Sequence, residues 1–386
     1  MTSLSIPATM DDVTPEWLTA ALRERGHLRE ARVVEAPRER IGAGVGILGE
    51  LARITLVYDR EEPGAPATLI AKIPTADPGG RGVAHMLGFY EKERRIYDEL
   101  ADRIGVRSAR AYYAAGDPET VQYVILMEDL GGLRLGDQVA GASAEECYTL
   151  VREIGRLHAR WWNSPELEAL DWVPRGNDPV NLMAAVAFAQ AVEPFLQNFG
   201  GELTDFEREM VLRYMHRMNP MQDRFSGAPE TLCHGDLRLD NVFWGSPEGD
   251  APLTLVDWQI AVKARGPYDI GYFMSQSVDP AVRKAHERDI VRAYHETLVE
   301  HGVREYPWEQ CWEDYRMTVM WCLTYPVVSA GSIDLANDRG VELAKAMLRR
   351  SLSAIHDLRA YEVLDTLEER PHPLILEAMA AAQAQG

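Results

Sequence analysis

A chain of 386 residues, 46% hydrophobic and 26% charged, has globular composition and suffices for one large two-lobed domain or two ordinary ones. Sixty Asp and Glu against 40 Lys and Arg give a formal net charge of −20. A field of that sign repels phosphate backbones and anionic lipid, which argues against nucleic acid or a membrane surface as a main partner. The opening residues, MTSLSIPATMDD, lack the basic and apolar regions of a secretory signal. The longest weakly polar run, residues 317–330, is interrupted by Pro326 and is too short to span a bilayer. Cys147, Cys233, Cys311 and Cys322 have no C-x-x-C spacing, so they read as reduced core thiols of a cytoplasmic protein rather than zinc ligands.

Residues 50–59 (ELARITLVYD) and 67–73 (ATLIAKI) are rich in β-branched side chains, and the turn-forming stretch between them predicts a hairpin. Residues 83–101 carry helical periodicity, and 110–114 and 123–127 read as two further strands. A polar, glycine-containing connector follows at 128–132. Beyond residue 140 the pattern turns helical. Residues 143–162 open on an S-x-x-E capping box, and further helices are expected at 179–198, 204–223, 279–301, 308–325 and 334–366. A short β segment between 231 and 260 interrupts them. The expectation is an α+β chain: residues 1–128 form a small antiparallel sheet lobe with one helix, and 129–386 a large, mainly helical lobe.

The densest chemical signal is LCHGDLRLDNVFW, residues 232–244. Asp236 can accept a proton from an attacking hydroxyl, and Asn241, five residues on, can ligate a metal through its amide oxygen. An ordinary turn with two capping side chains explains the segment equally well when it is taken alone. The context decides: sixteen residues after Asn241 the apolar run LTLV delivers Asp257 at a strand end. A carboxylate there is costly to bury unless it is paired or holds a cation. Mg²⁺ takes one or two such oxygens together with substrate phosphates, and Asp257 with Asn241 supplies that set.

H-G-D-x-x-x-x-N followed by an apolar strand and Asp resembles the aminoglycoside phosphotransferase and choline kinase group, which shares the fold of the protein kinases. The version here, Val256-Asp257-Trp258-Gln259 with Pro267-Tyr268-Asp269-Ile270-Gly271 after it, is most similar to the ecdysteroid-kinase-like branch. The resemblance implies a bilobal protein-kinase-like fold and transfer of phosphate from ATP to a small-molecule hydroxyl. It implies Asp236 as the base, Asn241 and Asp257 as Mg²⁺ ligands, and Asp269 as a brace for the catalytic loop. Lys72, mid-strand in LIAKIP, would contact the α- and β-phosphates and needs a carboxylate partner on the next helix. Glu93 shares the apolar face of Phe89, Tyr97 and Leu100, whereas Glu91 falls beside Arg94 and Arg95, so Glu93 is the expected partner.

Gly44, Gly46 and Gly49 (GVGILG) match G-x-G-x-x-G, a weak signal alone. A strand rather than a helix follows, which favours a flap over ATP phosphates and disfavours a dinucleotide oxidoreductase; the aliphatic residue expected after the glycines is matched only loosely, by Leu51. Glu128, Asp129 and Leu130 are adenine-site candidates through their backbone. Arg238 reads as a γ-phosphate contact or a surface salt bridge, and His234 as an orienting residue. Trp312, Tyr315, Met320, Trp321 and Tyr325 form a stripe that is more often helix core than ligand wall; any part facing the acceptor implies substantial apolar surface on it, and Arg316 could meet an anionic substituent. The Val-Asp-Trp-Gln branch and this stripe favour an apolar alcohol. Amino alcohols, aminoglycosides and hydroxyacyl compounds are also compatible. The rival reading is a nucleotide-binding pseudokinase serving as regulator or scaffold, which predicts the loss of one chemical residue.

Overall fold

The β-branched runs assemble, in the computed structural model of the chain, into a five-stranded antiparallel sheet. Its order is Arg38–Ile41, Gly49–Thr55, Thr68–Pro74, Gln122–Glu128, Ala111–Asp117. The structure describes residues 4–42, 48–332 and 338–376, so Gly44 and Gly46 lie outside the described residues. The chain forms two units, residues 1–134 with 243–260, and residues 135–242 with 261–386.

In the first unit, Thr68–Pro74 is the central strand, with Leu51 and Ile125 as the lateral partners of Lys72. The run expected as one strand over 50–59 breaks at Leu56, and Val57–Tyr58 leaves the sheet to pair with Val33–Glu35. The helix expected over 83–101 is segmented. Pro78–Met86 ends before Gly88, whose φ of 67° is left-handed, and Phe89–Arg95 restarts the helix and widens into a π turn, Ile96–Leu100. A helix unread in the sequence, Pro15–Glu24, packs Trp17, Leu18, Ala21 and Leu22 against Ala52, Ile54, Leu69 and Leu126 of the sheet. Its signal was local: Thr14 caps Trp17 N, and Pro15 takes the first helical position. Each fully buried large apolar side chain here stabilises the unit by about 1.5–3 kcal/mol. The segment 243–260 joins this unit through Leu255, whose carbonyl accepts the Ala109 N–H at 3.1 Å. The fully buried Trp258 adds an indole N–H bond to Ser108 Oγ at 2.9 Å.

In the second unit the capping box at Ser143 and Glu146 starts the helix Ala144–Trp161 as expected. The stretch expected as one helix over 204–223 splits into Asp205–Met215 and Met218–Phe225, and that over 308–325 into Trp308–Trp321 and Thr324–Ser332. Within 334–366 the described residues form Asp338–Asp357 and a 3₁₀ turn, Ala360–Thr366. Among the described residues, the helical stretch long and apolar enough to cross a bilayer by length and composition alone is not within 317–330 but Pro179–Glu202. Its helix, Pro179–Phe199, packs on Thr324–Ser332, and the close approach is made by Gly331. A Cβ there would sit 2.4 Å from the Ala191 carbonyl oxygen and 2.8 Å from its Cβ. Gly331→Ala is therefore expected to separate these helices, costing about 1–3 kcal/mol as read by the denaturant midpoint. Thr231–Cys233 pairs antiparallel with Val262–Ala264, and the H-G-D segment follows directly on the first strand of this ribbon. The unexpected helix Pro267–Ser277 follows it.

Candidate active site

Within the first unit Lys72 rises from the middle of the central strand, where hydrogen-bonded neighbours on both sides fix its backbone. Its Nζ lies 2.7 Å from Glu93 Oε1 and 3.2 Å from Asp257 Oδ1. Burial pulls the Lys72 ammonium down, but Asp257 and Glu93 outweigh it and the net direction is up. Burial pushes the Glu93 carboxyl up to about 7 against the pull of Lys72. Glu91 instead pairs with Arg94 at 2.7 Å, the surface pairing its position suggested. Asp257 has a φ of 67°, a strained conformation for a residue with a Cβ, and its N–H points to the Tyr97 hydroxyl at 3.4 Å. A Cβ on Gly49 would stand 3.2 Å from Lys72 Cε, so glycine gives the lysine stem its room.

The connector uses its side chains structurally. Glu128 is buried and accepts from Arg110 N at 2.6 Å while pairing with Arg107 at 2.8 Å. The Asp129 carboxylate takes Arg53 Nε at 2.8 Å and Gly131 N at 2.9 Å. Leu130 is buried, and among the described residues its N–H donates to no backbone carbonyl.

Within the second unit the H-G-D loop is anchored by Asp269, a fully buried carboxylate on the helix Pro267–Ser277. It accepts from His234 N at 2.7 Å, from Gly235 N at 2.9 Å and pairs with His158 Nε2 at 3.1 Å. Asp269→Ala would orphan two buried N–H groups at about 1–3 kcal/mol each. It is expected to lower the urea midpoint markedly, whereas a midpoint within error of the parent would contradict this bracing. Sequence reasoning missed a second anchor, the buried Gln138: its Oε1 accepts Leu239 N at 2.9 Å, and its carbonyl takes the buried Arg350 guanidinium. No motif marks that glutamine, because its partners lie about a hundred residues or more away in sequence.

Asp236 is buried with both oxygens engaged. Oδ1 accepts the Tyr272 hydroxyl at 2.6 Å, and Oδ2 accepts Asn241 Nδ2 at 3.1 Å and faces Arg238 Nε at 3.3 Å. Burial pushes this carboxyl up, but Arg238, the Tyr272 hydroxyl, His234 and Asn241 prevail and hold it below the ordinary carboxylate range. Arg238 also reaches Asp240 at 3.0 Å, so it is an ion-paired residue within its own loop. Asn241 donates through Nδ2 to the Asp236 carbonyl as well, at 2.9 Å, which turns its amide oxygen away from Asp236. Of the aromatic stripe, Tyr315, Met320 and Trp321 are core, while Trp312 and Tyr325 are half-buried. The expected anion contact at Arg316 is not available: its guanidinium is bound to Glu313, Glu362 and the Leu358 carbonyl.

Comparison with known proteins adds three findings. The sequence profile of the ecdysteroid kinase-like family matches residues 44–304. An uncharacterised kinase-like protein of Caenorhabditis elegans is 21% identical over 276 residues, 64% of this chain and 70% of the worm protein. Among solved structures, a candidate aminoglycoside phosphotransferase from Ralstonia eutropha superposes with a TM-score of 0.51 at 17% identity, covering 91% of this chain and 98% of the other. Choline kinase from Cryptosporidium parvum gives 0.50 at 11% identity, covering 85% and 91%. The fold is that of the kinase-like phosphotransferases, mixed helix and antiparallel sheet.

Proposed function

We propose, from the premise that the chain belongs to the ecdysteroid kinase-like family, that it uses Mg-ATP to phosphorylate a hydroxyl group of a small molecule. The observation that carries this reading is the Asp236 carboxylate, buried yet kept ionised and held by three donors. Ionisation lets a carboxylate accept a hydroxyl proton, and donors on both of its oxygens fix where it does so. In the step proposed, the acceptor oxygen bonds to the γ-phosphorus as its proton passes to Asp236; the bond from that phosphorus to the β,γ-bridging oxygen breaks and ADP leaves. Such transfer depends mainly on positioning and charge neutralisation.

Lys72 is assigned to the α- and β-phosphates, with Glu93 holding its ammonium in place. The donor chemistry fits Mg²⁺: Asp257 offers a carboxylate oxygen, and Asn241 an amide oxygen left over when its nitrogen binds Asp236. Bound Mg²⁺ would neutralise charge on the phosphates. Gly44, Gly46 and Gly49 are assigned to the phosphate flap, and the backbone of Glu128, Asp129 and Leu130 to adenine.

An apolar alcohol is the favoured acceptor, on family membership and on the half-buried Tyr325 whose ring lies 4.3 Å from that of Tyr272. Neither nucleic acid nor membrane is proposed as a partner, given the charge of −20. Four free, buried thiols support a cytoplasmic setting.

The test is ADP release from Mg-ATP across decanol, a sterol, choline, kanamycin and 3-hydroxybutyryl-CoA, with Asp236→Asn as the control. Acceptor-dependent turnover that vanishes in the control supports the reading and identifies the acceptor class. Nucleotide binding with no turnover on any acceptor would favour the pseudokinase, and absence of nucleotide binding would overturn the proposal.

A further inference from the structure

We propose that Tyr272 is a positioning residue for the Asp236 carboxylate, an inference that rests on the phosphotransferase reading of that carboxylate. Tyr272 belongs to no part of the H-G-D motif, but it stands one helical turn after Asp269 on the helix Pro267–Ser277. Residues three apart share a helix face, so one face grips the loop at two levels. Asp269 takes the backbone N–H groups of His234 and Gly235, and Tyr272 takes the side chain of Asp236.

The second grip is specific. The Tyr272 hydroxyl donates to Oδ1 at 2.6 Å, while Asn241 and Arg238 approach Oδ2. Donors on Oδ2 alone would leave the carboxylate free to swing about its Cβ–Cγ bond; a donor on each oxygen fixes its plane. The phenol is in turn confined. Its ring is buried and lies against the Tyr325 ring at 4.3 Å, and the Tyr325 hydroxyl is hydrogen-bonded to that of Tyr268. Tyr272 thus orients the carboxylate that receives the acceptor proton. An error of about 1 Å in such a group can slow a reaction a hundredfold.

Tyr272→Phe keeps the ring and removes only the hydroxyl. The expected result is a kcat for ADP release from Mg-ATP lower by about ten- to a hundredfold, measured with water and with the panel alcohols as acceptors, and an unchanged KM for Mg-ATP. A purely structural role would not produce that split. A second readout needs no turnover: the isotope-edited infrared carboxylate band of Asp236, identified by its absence in Asp236→Asn, should move in Tyr272→Phe. If that variant does not fold, 3-fluorotyrosine at 272 has the same shape and a stronger donor, and should move the band while preserving activity. A band that stays in place in the folded variant, with kcat intact, overturns the proposal. Failure of the parent protein to transfer phosphate to any acceptor would instead remove the phosphotransferase reading, and the infrared comparison would still decide whether Tyr272 holds Asp236.

Discussion

Asp236→Asn is expected to lower acceptor-dependent ADP release by about 10²–10⁴-fold, the usual contribution of a general base, while leaving the affinity for Mg-ATP near that of the parent. The substitution preserves shape and removes the charge that would accept the proton. Its amide oxygen can still take the Tyr272 hydroxyl, the contact now at 2.6 Å. Its amide nitrogen, however, would face two donors, Asn241 Nδ2 and Arg238 Nε, now 3.1 and 3.3 Å from Oδ2. A modest loss of stability should accompany the loss of rate. Asp236→Ala should be worse folded, because it leaves the Tyr272 hydroxyl and the Asn241 amide without their acceptor in a buried site. The measurement is kcat and nucleotide affinity on the same preparations. Retained turnover in Asp236→Asn would remove Asp236 from the chemistry. Loss of nucleotide binding together with turnover would mean that the loop had come apart rather than lost its base.

The sequence made parts of this site readable for particular physical reasons. Asp236, Asn241 and Asp257 were visible because their chemistry is packed into two short segments, one an H-G-D turn and one a strand end. Glu93 could be separated from Glu91 because helical periodicity assigns each to a face, and that short-range rule survives the break at Gly88, which lies before both residues. The sheet was legible wherever β-branched runs alternate with turns. What stayed hidden depends on distance along the chain. Gln138 meets Leu239 across about a hundred residues, and Tyr272, on a helix the sequence did not mark, meets Asp236 across 36 residues. The split of the expected helices at Gly88, at 216–217 and at 322–323 was also missed, since amphipathic pattern continues across a bend. Arg316 misled in the opposite sense: a cation beside aromatic residues suggested a ligand contact, and the fold supplied two carboxylates instead.

Lys72→Met should remove activity and also reveal the energetics of the cluster around it. The side chains of Lys72 and Glu93 are only 13% and 3% exposed, so taking away the ammonium leaves a carboxylate buried without its cation and next to Asp257. Breaking a buried pair in this way costs about 3–5 kcal/mol when the remaining charge must be kept. Glu93 has an escape, because burial already raises its carboxyl to about 7 with the lysine present. Without Lys72 the direction is further upward, and Glu93 becomes a neutral acid over more of the pH range. The sign follows from linkage. A carboxyl whose folded pKa lies above its unfolded value of about 4.3 is most favourable to folding below that value, and its contribution is lost as pH rises towards the folded pKa. The deficit of Lys72→Met relative to the parent should therefore be small near pH 5 and larger at pH 8, as read from urea midpoints at the two pH values. Adding Glu93→Gln to Lys72→Met removes the stranded charge and should recover stability at pH 8 but little at pH 5. Lys72→Arg should not restore turnover, since a planar guanidinium cannot replace a compact ammonium between Glu93 and Asp257 at 2.7 and 3.2 Å. A deficit independent of pH would show that Glu93 does not carry the cost, and the ion pair would then be incidental to how this unit is held together.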